Sequence, residues 1–217
     1  MGLIQGLQGV DFSGKDLRGR NFKNTDLSGA NLEKAVLDGA NLKGASVKGA
    51  NLEGALLNST LLMGSDLREA NLKDAFFNGC DLSDANLKGT DLRGANFAHQ
   101  SLKGANLEGA NLYQAHARKA DFSGANLKGA NLSHTYLYET NLEDANLEGA
   151  QLEGSAFINA RADYANLKGA NFKDANLNGA SVNWANLEDA NLTGACLRWT
   201  KLSDAKLKGA KIGRAHV

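Results

Sequence analysis

The sequence contains no proline, only two cysteines and no excess of either charge. Without proline, a proline-rich linker or a low-complexity proline–glycine tail is excluded. Cys80 and Cys196 form neither a disulfide framework nor a CxxC metal motif. The 24 acidic residues balance the 24 basic residues, which argues against direct binding of nucleic acid through a basic surface.

Long apolar segments are also missing. No run approaches the roughly 18 residues that a membrane-spanning helix needs. The first ten residues, MGLIQGLQGV, lack the basic and apolar regions of a signal peptide. We therefore expect a cytoplasmic protein without membrane contact, and no motif in the sequence calls for a cofactor.

What the sequence does contain is one pattern with a period of five. Every fifth residue from Leu7 to Val217 gives 43 central positions, and all but two of them are Leu, Phe, Val or Ile. The exceptions are Ala117 and Ala162. From Ala30 onward a small residue, mostly Ala, stands two positions before the central residue, and Gln100 is the one large departure. Between the two lies an outer position that is usually Asn or Asp. The phase is never interrupted, so no loop is predicted.

A period of five fits neither a straight helix nor a flat strand. On a helix, successive central residues would lie about 140° apart and would never share a face. On a strand, whose faces alternate with a period of two, every second central residue would point the wrong way. Both conflicts disappear if the chain turns a corner once in each repeat, and the frequent Gly at the fifth position suits such a corner.

Segments such as ANLKGANLEG follow the pattern A-(N/D)-L-x-x and resemble the pentapeptide-repeat family over essentially the whole chain. The resemblance implies an all-β fold: a right-handed quadrilateral β-helix, a solenoid with four pentapeptides in each coil. We expect a lead-in at residues 1–9 and one repeat domain over residues 10–211, with about ten four-sided coils and no interrupting loops. Residues 212–217, IGRAHV, either continue the repeat or are the translation of a sequencing adapter. An uncapped coil end there would favour a homodimer.

Charge supplies independent support for twenty residues per coil. The residues that follow central residues at steps of twenty alternate in sign: Lys88, Glu108, Lys128, Glu148, Lys168, Glu188 and Lys208. Coils of twenty residues would stack these side chains about 4.8 Å apart as opposite charges. Coils of fifteen residues would instead place Lys88 beside Lys103.

One side of the predicted coil departs from the Asn pattern. We call the outer positions at steps of twenty from Asp16 to Cys196 the third face, and those from Asn21 to Lys201 the fourth face. The third face reads Asp16, Val36, Leu56, Phe76, Asn96, His116, Tyr136, Ala156, Asn176 and Cys196. Together with Leu61 and Met63 around the corner, Val36, Leu56 and Phe76 form a candidate partner-binding patch. A second candidate cluster contains Tyr136, Tyr138, Ile158 and Trp199. An alternative is that these side chains only strengthen strand stacking.

No catalytic constellation is apparent. The four His do not recur at metal-ligand spacing, and His116 is expected to stack on Asn96 and Tyr136. Cys80 occupies an inward small-residue position, whereas Cys196 faces outward. Because no loop is available to build a pocket, we expect the chain not to be an enzyme. Neighbouring Phe side chains are expected to fill the space at Ala117 and Ala162, although a small ligand cavity is the alternative.

Two functions follow from these observations. The first is a non-enzymatic scaffold, a rod that binds an unidentified protein partner through its third face. The second comes from the family resemblance, which includes proteins that mimic DNA, bind type II topoisomerases and protect them from quinolones. Those proteins are strongly acidic and often contain loops, and this chain has neither property.

Overall fold

The structure is a computed structural model that describes residues 6–213. In this range the chain has no α-helix and no extended strand, and β pairing occurs as isolated parallel bridges. From Asp11↔Asn31 to Asn191↔Lys211, every fifth residue is bridged to the residue twenty positions ahead. We call each twenty-residue step a coil. The chain is therefore a parallel β-helix, and the sequence prediction of this solenoid class is confirmed.

Each repeat is a tight turn between two bridges. In the repeat that begins at Leu32, the Ala35 N–H donates to the Leu32 carbonyl at 3.0 Å, which closes a four-residue turn. The third residue of that turn, Lys34, has a φ of 54°. The same corner position has positive φ throughout, and Gly occupies it most often because a Cβ makes this conformation unfavourable.

Central and small residues point inward and fill the interior. Leu107 and Ala110 are completely buried, as are almost all of their equivalents between Leu27 and Ala195. The interior is only wide enough for these two sizes, so larger rings stack along the axis: Phe77 and Phe97 lie 4.8 Å apart with an interplanar angle of 22°. A few small positions carry a hydroxyl, and Thr90 Oγ1 donates to the buried carbonyl of Leu67 at 2.9 Å.

Outward Asn side chains have two functions. Their Oδ1 atoms accept a hydrogen bond from the backbone N–H two residues later, as Asn51 does from Glu53 at 3.2 Å. Their Nδ2 atoms donate to the Asn one coil earlier, and Asn71 donates to Asn51 at 2.9 Å. The recurrent Asn therefore serve both as turn caps and as polar ladders.

The alternating charges form separate pairs. Lys88 binds Glu108 at 3.1 Å, Lys128 binds Glu148 at 3.1 Å and Lys168 binds Glu188 at 3.6 Å, and all six side chains are substantially exposed. No ion pair joins Glu108 to Lys128 or Glu148 to Lys168 within residues 6–213. Because the pairs are exposed, each contributes little to stability, about 0.2–1 kcal/mol.

Two predicted boundaries fall partly outside the described residues. The lead-in at residues 1–9 is described only from Gly6, and the segment 212–217 only to Gly213. The predicted association through a coil end involves this last segment and stays a prediction.

The corner conformation predicts opposite effects for two substitutions. Gln114 has a φ of 57°, is exposed and makes no side-chain hydrogen bond within residues 6–213. Gln114→Gly should therefore raise the free energy of unfolding by about 1 kcal/mol. Gly129 has a φ of 63° and open space around its Cβ position, so Gly129→Ala should lower it by a similar amount. Urea denaturation of both variants measures the two changes in the free energy of unfolding. Changes of the same sign in the two variants would contradict the strain argument.

Volume compensation at Ala117 predicts a coupling. Ala117 lies one coil after Phe97, whose ring already stacks on Phe77. Ala117→Leu alone should overpack the interior and cost about 1–3 kcal/mol. Combined with Phe97→Leu it should cost less than the sum of the two single changes, by roughly 0.5–3 kcal/mol. Phe172→Leu is the matched control, and its effect should add to that of Ala117→Leu in the same denaturation experiment.

Candidate functional site

The third face is a continuous ladder of bridged residues. Val36 is bridged to Leu56, Leu56 to Phe76, and Phe76 to Asn96. Val36 and Leu56 are half-buried, whereas Phe76 is 49% exposed. The three third-face members of the first candidate patch are therefore ladder neighbours, and Phe76 is the most exposed of them.

Leu61 and Met63 belong to the fourth face. Leu61 is 46% exposed and is bridged to Asn41 and Asp81, both polar. Met63 is half-buried. The ladder neighbours of Leu61 thus separate it from other apolar outer residues on its own face, and only the third-face part of the patch forms an apolar row.

The second cluster is built around stacked rings. Tyr136 is bridged to His116, and their rings lie 4.7 Å apart with an interplanar angle of 15°. Tyr138 stacks beside Tyr136 at 6.5 Å and 10°. Ile158, one coil after Tyr138, is half-buried. The prediction that His116 stacks on Tyr136 is confirmed.

Trp199 lies away from these rings. It is 82% exposed, the most exposed large apolar side chain among the described residues, and it sits at a corner with a φ of 56°. Its equivalent one coil earlier is Gly179. Trp199 is therefore three coils beyond Glu139 on the same corner and does not extend the stack of His116, Tyr136 and Tyr138.

Two adjoining depressions, which share Asn96 and Ala98, lie between the two candidate clusters, and we refer to them together as the groove. Its larger part has a volume of about 450 Å³ and its smaller part about 150 Å³. The larger part is lined by Asn96, Ala98, His116, Arg118, Tyr136, Tyr138 and Glu139. The smaller part is lined by Phe76, Phe77, Asn78, Asn96, Ala98 and His99. The expectation that a chain without loops has no pocket is wrong on this face, because tall side chains flank a short one.

Ala98 is the residue that the sequence reasoning missed. Two residues after each third-face outer residue the chain carries Arg18, Asp38, Asn58, Asn78, Ala98, Arg118, Tyr138, Ile158, Asn178 and Arg198. Ala98 is the smallest of these, and it lies between Asn78 and Arg118. Comparing side-chain sizes at steps of twenty would have revealed the depression.

Charges at the rim of the groove are largely paired. Glu139 lies 3.7 Å from Arg118 and 3.4 Å from Lys119. One carboxylate thus faces two cations, which leaves a modest positive excess at this edge. No group of three His, Cys, Asp or Glu side chains arranged to hold a metal occurs in the described part of the chain.

The two thiols lie in different environments. Cys80 is buried, and its Sγ donates to the carbonyl of Leu57 at 2.6 Å. Burial raises the pKa of the Cys80 thiol to about 12. Cys196 is half-buried, and its Sγ lies 3.2 Å from Asn178 Oδ1. The interpretation of Cys80 as core and Cys196 as outward-facing is confirmed.

The parallel bridges between successive coils define a β-helical repeat protein. The comparisons with known proteins agree with this class. The family described as pentapeptide repeats matches in eight copies, over residues 7–58, 60–133 and 135–209. The chain therefore belongs to the pentapeptide-repeat family. No curated protein sequence matches it. None of the described residues forms a helix that is long and apolar enough to cross a membrane.

Several solved structures of the family are similar to this chain. HetL of the cyanobacterium Nostoc sp., involved in heterocyst differentiation regulation, is 32% identical over 95% of this chain and 89% of its own, with a TM-score of 0.41. QnrB1, a plasmid-mediated fluoroquinolone resistance protein, is 25% identical over 87% and 90%, with a TM-score of 0.39. Rfr23 of the cyanobacterium Cyanothece is 29% identical over 61% and 89%, with a TM-score of 0.34.

The difference between the thiols predicts their reactivity. At pH 8 a colorimetric disulfide reagent should modify one thiol of the folded protein, Cys196, because only a thiolate attacks and Cys80 stays protonated and buried. Unfolding in guanidinium should expose the second thiol, Cys80, to the reagent. Cys196→Ser is the control and should abolish the reaction of the folded protein. Rapid modification of both thiols before unfolding would contradict the burial of Cys80.

Proposed function

We propose that this chain is a non-enzymatic scaffold that binds a partner protein through its third face. The observation that carries the proposal is that two exposed aromatic side chains and the groove share one ladder of outer positions. Phe76 and Tyr136 are 49% and 42% exposed there, whereas the equivalent positions on the other faces are mostly Asn or Asp. Aromatic residues are enriched at protein interfaces, and exposed apolar patches in soluble proteins often mark them.

The proposed architecture is a rod. We infer a right-handed, four-sided β-helix, which the bridge at every fifth residue and the pairing over twenty residues support. About ten coils at the usual spacing of about 4.8 Å would make a rod roughly 50 Å long. Such a rod holds its face rigid, so a partner would meet side chains whose positions are set before binding. The proposed location is the cytoplasm.

The relatives are consistent with a binding function. HetL is described as involved in regulation, and QnrB1 as a resistance protein. At 25% identity, the similarity to QnrB1 favours the alternative that this chain mimics DNA toward a type II topoisomerase. Its charge does not favour this alternative, because acidic residues such as Glu108, Glu139 and Glu148 are paired with Lys or Arg. We therefore favour the scaffold.

Replacing the apolar outer residues by the residue most common at these positions tests the scaffold. The triple variant Leu56→Asn, Leu61→Asn and Phe76→Asn should keep the fold, because Asn is compatible with the turns and ladders. Its melting temperature should stay within a few degrees of the parent. Partner retention on the immobilised protein, measured from an extract of the source cells, should fall at least tenfold, as expected for the loss of interface hot spots.

Trp184→Asn provides the matched control, because Trp184 is equally exposed but lies on a fourth-face corner. It should retain the partner at the parent level. A partner that binds the triple variant and the parent equally would refute the third face as the interface. Inhibition of gyrase supercoiling by the parent protein would instead support the topoisomerase alternative.

A further inference from the structure

The third face has the spacing of an aromatic stack. One coil separates His116 from Tyr136, and their rings lie 4.7 Å apart and nearly parallel. The same step separates Phe77 from Phe97 in the interior, at 4.8 Å, and Tyr164 from Trp184 on the surface, at 5.0 Å. Favourable aromatic pairs have centroid distances of about 4.5–7 Å. Rings on successive coils therefore stack without any adjustment of the backbone.

At Asn96 this stack lacks one ring. Asn96 is bridged to Phe76 on one side and to His116 on the other. Its short side chain and the methyl group of Ala98 form the floor shared by both parts of the groove. Phe76 lines one end and His116 the other. Two coils span about 9.6 Å, which is the distance that one additional ring needs to stack on both neighbours.

Asn96 is exposed and offers a side-chain donor at the base of this slot. Asn96 Oδ1 accepts the N–H of Ala98 at 3.0 Å. On the regular faces Asn Nδ2 often donates to the Asn one coil earlier, as Asn126 does to Asn106 at 3.1 Å. The residue one coil before Asn96 is Phe76, which offers no side-chain acceptor. Asn96 Nδ2 accordingly has no protein acceptor within residues 6–213. Arg118, which also lines the groove, adds positive charge nearby.

We propose that the slot over Asn96 and Ala98 binds a tyrosine side chain of a partner protein. The ring stacks between Phe76 and His116 and completes the aromatic ladder. Because a side chain enters tip first, the phenol oxygen reaches the floor and accepts a hydrogen bond from Asn96 Nδ2. Phenylalanine would leave this amide unpaired. The identity of the occupant rests on the proposed function, since a protein must present the tyrosine.

A partner protein is favoured over a free small molecule because the slot is open. It contacts two faces and one tip of a ring, whereas small-molecule sites usually bury 70–90% or more of their ligand. A tyrosine held within a protein gains further contacts along the ladder, at Leu56 and Val36 in one direction and at Tyr138 in the other. Free tyrosine derivatives should therefore bind specifically but weakly, in the millimolar range.

NMR titration with three probes tests the slot without any partner. N-acetyl-tyrosinamide should shift the imidazole proton signals of His116 through its ring current, in a saturable manner. N-acetyl-phenylalaninamide should give the same shift with about two- to tenfold weaker affinity, the usual effect of one hydrogen bond. N-acetyl-leucinamide should give no such shift. His116→Asn assigns the signals. The absence of a tyrosinamide shift up to its solubility limit, or an equal shift with leucinamide, would overturn the proposal.

Filling the slot provides the second test. Asn96→Tyr should supply the missing ring from the chain itself, shift the His116 signals without a probe and abolish tyrosinamide binding. Asn176→Tyr is the matched control, because Asn176 lies on the same face and caps its turn equally, with Asn178 N at 3.1 Å, but has Ala156 and Cys196 as neighbours. It should bind the probe like the parent. Retained binding in Asn96→Tyr would overturn the proposal.

Asn96→Ala separates stacking from hydrogen bonding. It removes the amide and leaves the slot open, so the probe should still bind but the advantage of tyrosinamide over phenylalaninamide should disappear. A preserved advantage would exclude Asn96 Nδ2 as the donor.

The tyrosine proposal and the scaffold proposal can fail separately. If the slot binds no ring but the third-face triple variant still loses its partner, the scaffold stands and the tyrosine does not.

Discussion

The parallel pairing of each residue with the residue twenty positions ahead is the constraint on which the rest of the structure depends. It fixes one spacing, about 4.8 Å, between equivalent side chains of successive coils. Everything that repeats in the sequence at twenty residues is therefore forced into contact. Leucine stacks on leucine in the interior, Asn71 donates to Asn51 on the surface, and Lys88 meets Glu108. A register shift of one repeat would keep leucine on leucine, but it would break the contacts of Asn71 with Asn51 and of Lys88 with Glu108.

The interior and the corners followed directly from the sequence. A period of five excludes a simple helix or strand, so the central and small residues had to point inward, and the structure buries them. The positive φ at each corner, occupied mostly by Gly, follows from the same geometry. The double use of Asn, as turn cap and ladder, was also predictable because its side chain offers a carbonyl and an amide at a fixed spacing.

The surface was less predictable, because its shape depends on differences between neighbours. The sequence spacing places Leu61 in an apolar patch, but its bridges join it to Asn41 and Asp81. The alternation of charge predicts a continuous ladder, yet among the described residues Glu108 pairs with Lys88 alone. Predicting the groove would have required a comparison of the sizes of three residues on successive coils, Asn78, Ala98 and Arg118. No local sequence pattern reveals such a difference.

Because the interior is regular, the outer residues can vary without loss of the fold. Because folding depends on inward residues, turn conformation and backbone bridges, an outer residue can change without disturbing the fold, as Phe76 and Tyr136 illustrate. The chain also accepts Trp184 and Trp199 at corners with φ near 55°, a conformation that costs an L-residue roughly 1–2 kcal/mol. Tyr164 stacks on Trp184 and offsets part of that cost. No such neighbour supports Trp199, whose equivalent one coil earlier is Gly179. The strain at the Trp199 corner is therefore not offset by stacking on the preceding coil.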